Sequence, residues 1–167
     1  IHLNAEFFTK PISEKDQEFY VYTGTTFNEL IIDLDSISSS LSSVSQKCIS
    51  FFLKKKRLDY WLKPGRYVFK KSFSFNDIVN KLRSQSEDPV HLVFNSMDNV
   101  EPVLGIIGKS LELDSLDLTN YLDSINFPVD SLSFFLIPNT YELFWSMSPE
   151  EVLDRIYWEY DKFWDVN

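Results

Sequence analysis

The chain is short of the residues that support crosslinks and cofactors. It has one cysteine, Cys48, so no intrachain disulfide can form; Cys48 lies among apolar residues in a helical stretch and reads as a small core side chain. Only 4 residues are glycine, and none of them builds a loop able to cradle a phosphate. His91 has no cysteine or second histidine near it, so a metal site is not expected. No apolar run approaches the length of a membrane span. Positive charge is scarce: 16 Lys and Arg stand against 25 Asp and Glu, a net charge of −9, which disfavours a nucleic-acid partner. The one basic run, Lys54-Lys55-Lys56-Arg57, closes a predicted helix and complements the negative end of its dipole, so it reads as a matched helix end rather than a binding patch. An initiator methionine is also missing, and the abrupt start at Ile1 reads as a piece of a longer protein.

What is plentiful is core material. Hydrophobic residues make up 44% and aromatics 16%, which argues against disorder. A length of 167 residues suits one medium domain or two small ones.

Residues 1–17 are polar and mixed and read as a lead-in. Glu18-Phe19-Tyr20-Val21-Tyr22 is a predicted strand. Thr26-Phe27-Asn28-Glu29 is a capping box, and Phe27, Leu30, Ile31 and Leu34 follow as one helical face. Serine-rich residues 36–45 predict a loop, with Ser43 and Gln46 as a further capping box. A helix over 44–57 is expected to turn Val44, Cys48, Phe51 and Phe52 inward. Lys63-Pro64-Gly65-Arg66-Tyr67 reads as a type II turn into a second strand, Tyr67-Val68-Phe69. Ser74 then caps a helix with Phe75, Ile78, Val79 and Leu82 on one side.

These segments repeat. Phe19-Tyr20-Val21 matches Tyr67-Val68-Phe69, and Thr26-Phe27-Asn28-Glu29-Leu30-Ile31 matches Ser74-Phe75-Asn76-Asp77-Ile78-Val79 without a gap. Two copies of a strand-turn-helix unit predict two strands in one small sheet with helices on one face. Polar residues Arg83 to Pro89 mark a domain boundary, and Val90 to Phe94 is a third strand. Asp98 or Asn99 is expected to cap a helix with Val103, Leu104, Ile107 and Leu111, and Asp114 one with Leu118, Tyr121 and Leu122. Ser148-Pro149-Glu150-Glu151 starts a last helix, with Leu153, Ile156, Tyr157, Tyr160 and Phe163 or Trp164 on one side. The fold class is therefore α+β.

The chain is organised around Phe134 to Trp145, F-F-L-I-P-N-T-Y-E-L-F-W. An apolar run that stops at Pro138 reads as a buried strand or turn, and the polar cluster Asn139-Thr140-Tyr141-Glu142 reads as a loop leaving the core. Glu142 is the only carboxylate set in an apolar, aromatic frame, the surroundings that suit a proton donor. The plainer reading is that it satisfies a neighbouring backbone or arginine group.

Four motifs in order, K-P-G-R-Y, S-F-N-D-I-V-N-K-L, P-V-H-L-V-F-N and I-P-N-T-Y-E, resemble the YceG-like (MltG) family of membrane-anchored endolytic murein transglycosylases, and its Bacteroidetes branch in particular. Ser133 and Phe134 stand where many members have Glu-Gly. The resemblance implies a lead-in (1–17) behind an N-terminal membrane anchor, a LysM-like subdomain (18–86), and the N-terminal part of the catalytic domain (87–167). It implies an inner-membrane, single-pass protein whose periplasmic part cleaves peptidoglycan glycan strands without a cofactor, leaving 1,6-anhydromuramyl ends, with cell-wall synthesis proteins as further partners. Asn139, Tyr141 and Glu142 would bind the glycan. The family's catalytic glutamate belongs to a motif resembling A-S-I-[IV]-E-K-E, which does not occur here, so no catalytic residue is expected among these residues and Glu142 is the fallback. Two other classes stay open. One is a carbohydrate-binding or interaction module stacking sugars on the exposed members of Tyr20, Tyr67, Tyr141 and Trp145. The other is the aminodeoxychorismate lyase activity with which some family members are labelled, a pyridoxal phosphate chemistry that the missing glycine-rich loop disfavours.

Overall fold

The computed structural model describes residues 9–37, 46–95 and 100–166. The chain is α+β and divides into two compact units, Ile1–Asp88 and Pro89–Asn167.

In the first unit, β1 (Gln17–Val21) pairs antiparallel with β2 (Gly65–Phe69), Phe19 opposite Tyr67. The two strands that the sequence repeat sets in one sheet therefore do pair. Alternation turns Phe19, Val21, Tyr67 and Phe69 into a core shared with Leu30, Ile31 and Leu34 of α1 (Phe27–Ile37). Phe75, Ile78, Val79 and Leu82 of a later helix, Phe75–Arg83, join the same core. Both helices start on reciprocal caps. The Thr26 amide donates to Glu29 at 2.7 Å while the Glu29 amide donates to Thr26 Oγ1 at 3.4 Å; Ser74 and Asp77 repeat the exchange at 2.9 and 3.3 Å. Bonds from the Ser74 hydroxyl and amide hold the Asp77 carboxyl below its ordinary pKa.

Between the repeats lie α2 (Gln46–Lys55) and the short α3 (Leu58–Trp61), so the Phe75–Arg83 helix is α4. The expected inward face of α2 is corrected here. Ile49 and Leu53, one turn apart, are the buried pair; Phe52 and Cys48 are half-buried and Phe51 is 64% exposed. Cys48, Phe51 and Phe52 do share one helix stripe, but the core takes the stripe of Ile49 and Leu53 beside it, which leaves Phe51 on the opposite side of the helix. The helix also stops at Lys55, because Arg57 takes a left-handed conformation (φ 57°). Val44 and Ser43, and with them the expected serine loop beyond Ile37, lie outside the described residues. Pro64-Gly65 is not a type II turn. Gly65 is the first residue of β2, opposite Val21, with φ 150°.

In the second unit, β3 (Val90–Phe94) pairs antiparallel with β4 (Asn139–Leu143). Their inward side chains Leu92, Phe94, Tyr141 and Leu143 meet Val103, Leu104 and Ile107 of α5 (Glu101–Ser110). Leu118 and Leu122 of α6 (Ser115–Ser124) and Val152, Leu153 and Ile156 of α7 (Pro149–Val166) complete this core. Asp114 caps α6 by accepting from the amides of Leu116 and Asp117. Ser148 caps α7 through the Glu151 amide at 3.2 Å. Asp98 and Asn99, the expected caps of α5, lie outside the described residues.

Two expectations fail in this unit. Phe134 to Ile137 is not a buried strand: Val129–Phe134 winds as a 3-10 helix that buries Leu132 and leaves Phe134 78% exposed, and the strand begins only after Pro138. A proline lacks the amide a ladder needs, so it precedes the strand rather than ending one. On α7, Phe163 and Trp164 are exposed, 41% and 59%, because the core ends at Ile156, about two turns earlier.

Candidate functional site

The polar cluster after Pro138 is a strand, and strand alternation decides which of its residues reach solvent. Tyr141 and Leu143 point into the core, with Asn139 on the same side but exposed at the strand's start; Thr140 and Glu142 point out. Tyr141 is fully buried, its ring 5.1 Å from that of Phe94. Its hydroxyl donates to the Ile137 carbonyl at 2.9 Å and accepts from the Ile137 amide at 3.0 Å. Burial pushes the phenol above its ordinary pKa. The expected glycan-binding role of Tyr141 is therefore corrected: a ring sealed in the core offers no face to a sugar, and its work is to lock the approach to β4.

Glu142 lies on the outer face, its side chain 60% exposed. The apolar frame expected around it belongs to its sequence neighbours, which alternation sends to the opposite side. Directly across the sheet is His91, with Nε2 3.2 Å from Glu142 Oε1. The histidine is 56% exposed and its charge follows its protonation. Sequence reading left His91 without a role because the partner is 51 residues away. Among the described residues no third histidine, cysteine or carboxylate joins this pair in a group that could hold a metal.

Asn139 is exposed but engaged. Its amide nitrogen donates to Glu159 Oε2 at 3.2 Å and its carbonyl accepts from the Thr140 amide at 2.8 Å. Glu159 is buried on α7, and Arg155 one turn before it closes the pair at 2.8 Å. The Arg155 guanidinium also lies 4.3 Å from the Trp158 ring, and Lys162 covers Trp158 at 4.5 Å. Asn139 thus fixes the first residue of β4 to α7. Only an i, i+4 Arg-Glu spacing on the last helix hinted at this network, and nothing in the sequence connected it to Asn139.

The aromatics offered as sugar platforms are mostly core. Tyr67, Tyr141 and Trp145 are buried, and Tyr20 is half-buried with its hydroxyl on Glu18. Of the three glycan-binding candidates, Glu142 alone is both exposed and free to re-pair, and His91 stands beside it as a second hydroxyl-bonding group. An imidazole beside a carboxylate on an open sheet face can bind sugar hydroxyls as donor and acceptor.

A 2.6 Å crystal structure of a YceG-like protein from Listeria monocytogenes is similar to 89% of this chain at 18% identity and a TM-score of 0.38, and the chain spans 55% of that protein's length. No curated protein matches the chain. The family model described as the YceG-like family matches residues 19–166, a span that takes in all but the first two residues of the two strand pairs and every described helix of both units. The chain belongs to the YceG-like family.

Proposed function

We propose that these residues belong to a membrane-anchored endolytic peptidoglycan lytic transglycosylase of the periplasm and that their part in it is to hold the glycan strand rather than to supply the acid. In this reading the first unit is LysM-like and the second opens the catalytic domain. The observation that carries the reading is the outward pair His91 and Glu142 on β3 and β4 in a chain of this family. Cleavage of a glycosidic bond needs a carboxylic acid poised at the leaving oxygen. A lytic transglycosylase lets the sugar's own 6-hydroxyl attack the anomeric carbon, so one glutamate can act first as acid and then as base. Glu142, open to solvent and paired with an imidazole, suits hydrogen bonding to hydroxyls better than that task.

The experiment incubates the 167-residue chain and the full extracytoplasmic protein with murein sacculi and follows 1,6-anhydromuramyl products by mass spectrometry. Products from the full protein alone are expected. Products from the 167 residues that vanish in Glu142→Gln would return the acid to Glu142, and no such products from either protein would remove the transglycosylase reading.

A further inference from the structure

The basic run that closes α2 is not only a helix end. Folding brings Arg83, the last residue of α4, to Lys55, Lys56 and Arg57, and the four residues line one cleft of about 450 Å³ with no carboxylate in its wall among the described residues. Four other cations of this unit have carboxylate partners: Lys63 with Glu87, Arg66 with Glu18, Lys70 with Asp16 and Lys81 with Asp88. None of the four cleft cations has a carboxylate partner among the described residues. The partners of Lys56 are neutral, the Asn80 side chain at 3.5 Å and the Phe52 ring at 5.6 Å.

Helix dipoles account for part of this. Lys55 ends α2 and Arg83 ends α4, each favoured there singly. They do not account for Arg57, which lies beyond α2 in a left-handed turn (φ 57°). That conformation is an ordinary left-handed helix stop, repeated by Gln85 after α4 and Asn126 after α6, and here it carries an arginine into the cleft. Nor do dipoles ask four cations to share one wall, where they repel one another until an anion enters.

We propose that this cleft binds phosphate-bearing anions, a diphosphate or neighbouring phosphodiester headgroups, that bring two or more negative charges in all. Two guanidinium forks and two ammonium groups match the many oxygens of a diphosphate or a phosphodiester headgroup, and Arg forks engage such oxygens two at a time. The site is separate from β3–β4 and does not depend on the glycan reading.

The test uses the 167-residue chain. Calorimetric titration with inorganic pyrophosphate probes a soluble phosphate, and co-sedimentation with phosphatidylglycerol vesicles, against phosphatidylcholine vesicles, probes a lipid headgroup. At least one arm should show binding that weakens with added salt. Arg57→Gly combined with Arg83→Gln should weaken it about tenfold or more. Arg57→Gly relieves the left-handed backbone, so the variant is expected to fold, and circular dichroism checks this. Lys15→Gln with Lys109→Gln makes the same charge change on exposed residues elsewhere and should leave binding intact. Binding in neither arm, or equal loss in both double variants, would overturn the proposal.

Discussion

Tyr67 and Tyr141 hold the same position in two separate strands. Each is the third residue of its strand and fully buried, and each stands three residues after a proline, Pro64 or Pro138. Each sends its hydroxyl back to the carbonyl of the residue before that proline, Tyr67 to Lys63 at 2.8 Å and Tyr141 to Ile137 at 2.9 Å. The shared pattern P-x-x-Y thus describes a way of starting a strand. The residue before the proline faces a ring nitrogen that cannot donate, and a phenol four residues on satisfies its carbonyl instead.

Removing the Tyr141 hydroxyl orphans both the amide and the carbonyl of Ile137. Tyr141→Phe should cost about 1–3 kcal/mol in chemical denaturation. Its glycan affinity, measured below the melting range, should match the parent's; a selective loss of affinity in a stable variant would give the ring back its binding role.

Tyr67 makes the first unit sensitive to alkali. Burial, with the charges of Glu87 and Asp88, pushes its phenol up from 10 to about 12. A raised folded pKa means stability that is whole below pH 10, where the phenol is protonated folded or unfolded, and that falls as pH rises from 10 towards 12, where only the unfolded chain releases the proton. The loss should amount to about 2–3 kcal/mol at most. Tyr67→Phe should flatten this part of the stability profile, as read by urea melts across that pH range.

Gly65 has no room to change. A Cβ there would run into the carboxylate and Cβ of Glu87, which is buried and paired with Lys63 at 3.0 Å, and the backbone φ of 150° disfavours any side chain. Gly65→Ala should destabilise by about 2 kcal/mol or more. A melting temperature within a degree or so of the parent's would show that Glu87 moves aside freely.

Arg155→Ala leaves Glu159 buried with Asn139 as its one remaining partner among the bonds described. Stripping one member from a buried pair commonly costs about 3 kcal/mol. Because Glu159 tethers the first residue of β4, hydrogen exchange at Asn139 and Thr140 should quicken in this variant. Unchanged exchange there would mean that α7 does not position the strand.

On the outer face the expected costs reverse. His91 and Glu142 are exposed, so Glu142→Gln should change stability by less than about 1 kcal/mol. In the full protein the same substitution, or His91→Ala, should weaken glycan binding. Full affinity in both variants would remove this face from the site.

Local chemistry determined a good deal of this protein. Thr26-Glu29, Ser74-Asp77 and Ser148-Glu151 cap helices where their spacing says they should, since capping needs only residues three apart. The strand repeat foretold that β1 and β2 pair, because both strands carry the same inward face. What only the tertiary structure decided is which side each residue faces and whom it meets. Alternation in β4 separates Tyr141 from Glu142, and which of them enters the core depends on Phe94 and Leu92 across the sheet. His91 and Glu142, Asn139 and Glu159, and Arg83 with Lys55 to Arg57 are distant in sequence, and no local spacing encodes such meetings. The same limit misplaced the inward face of α2. With several apolar residues on a 10-residue helix, the surface it packs against selects Ile49 and Leu53 over the aromatics.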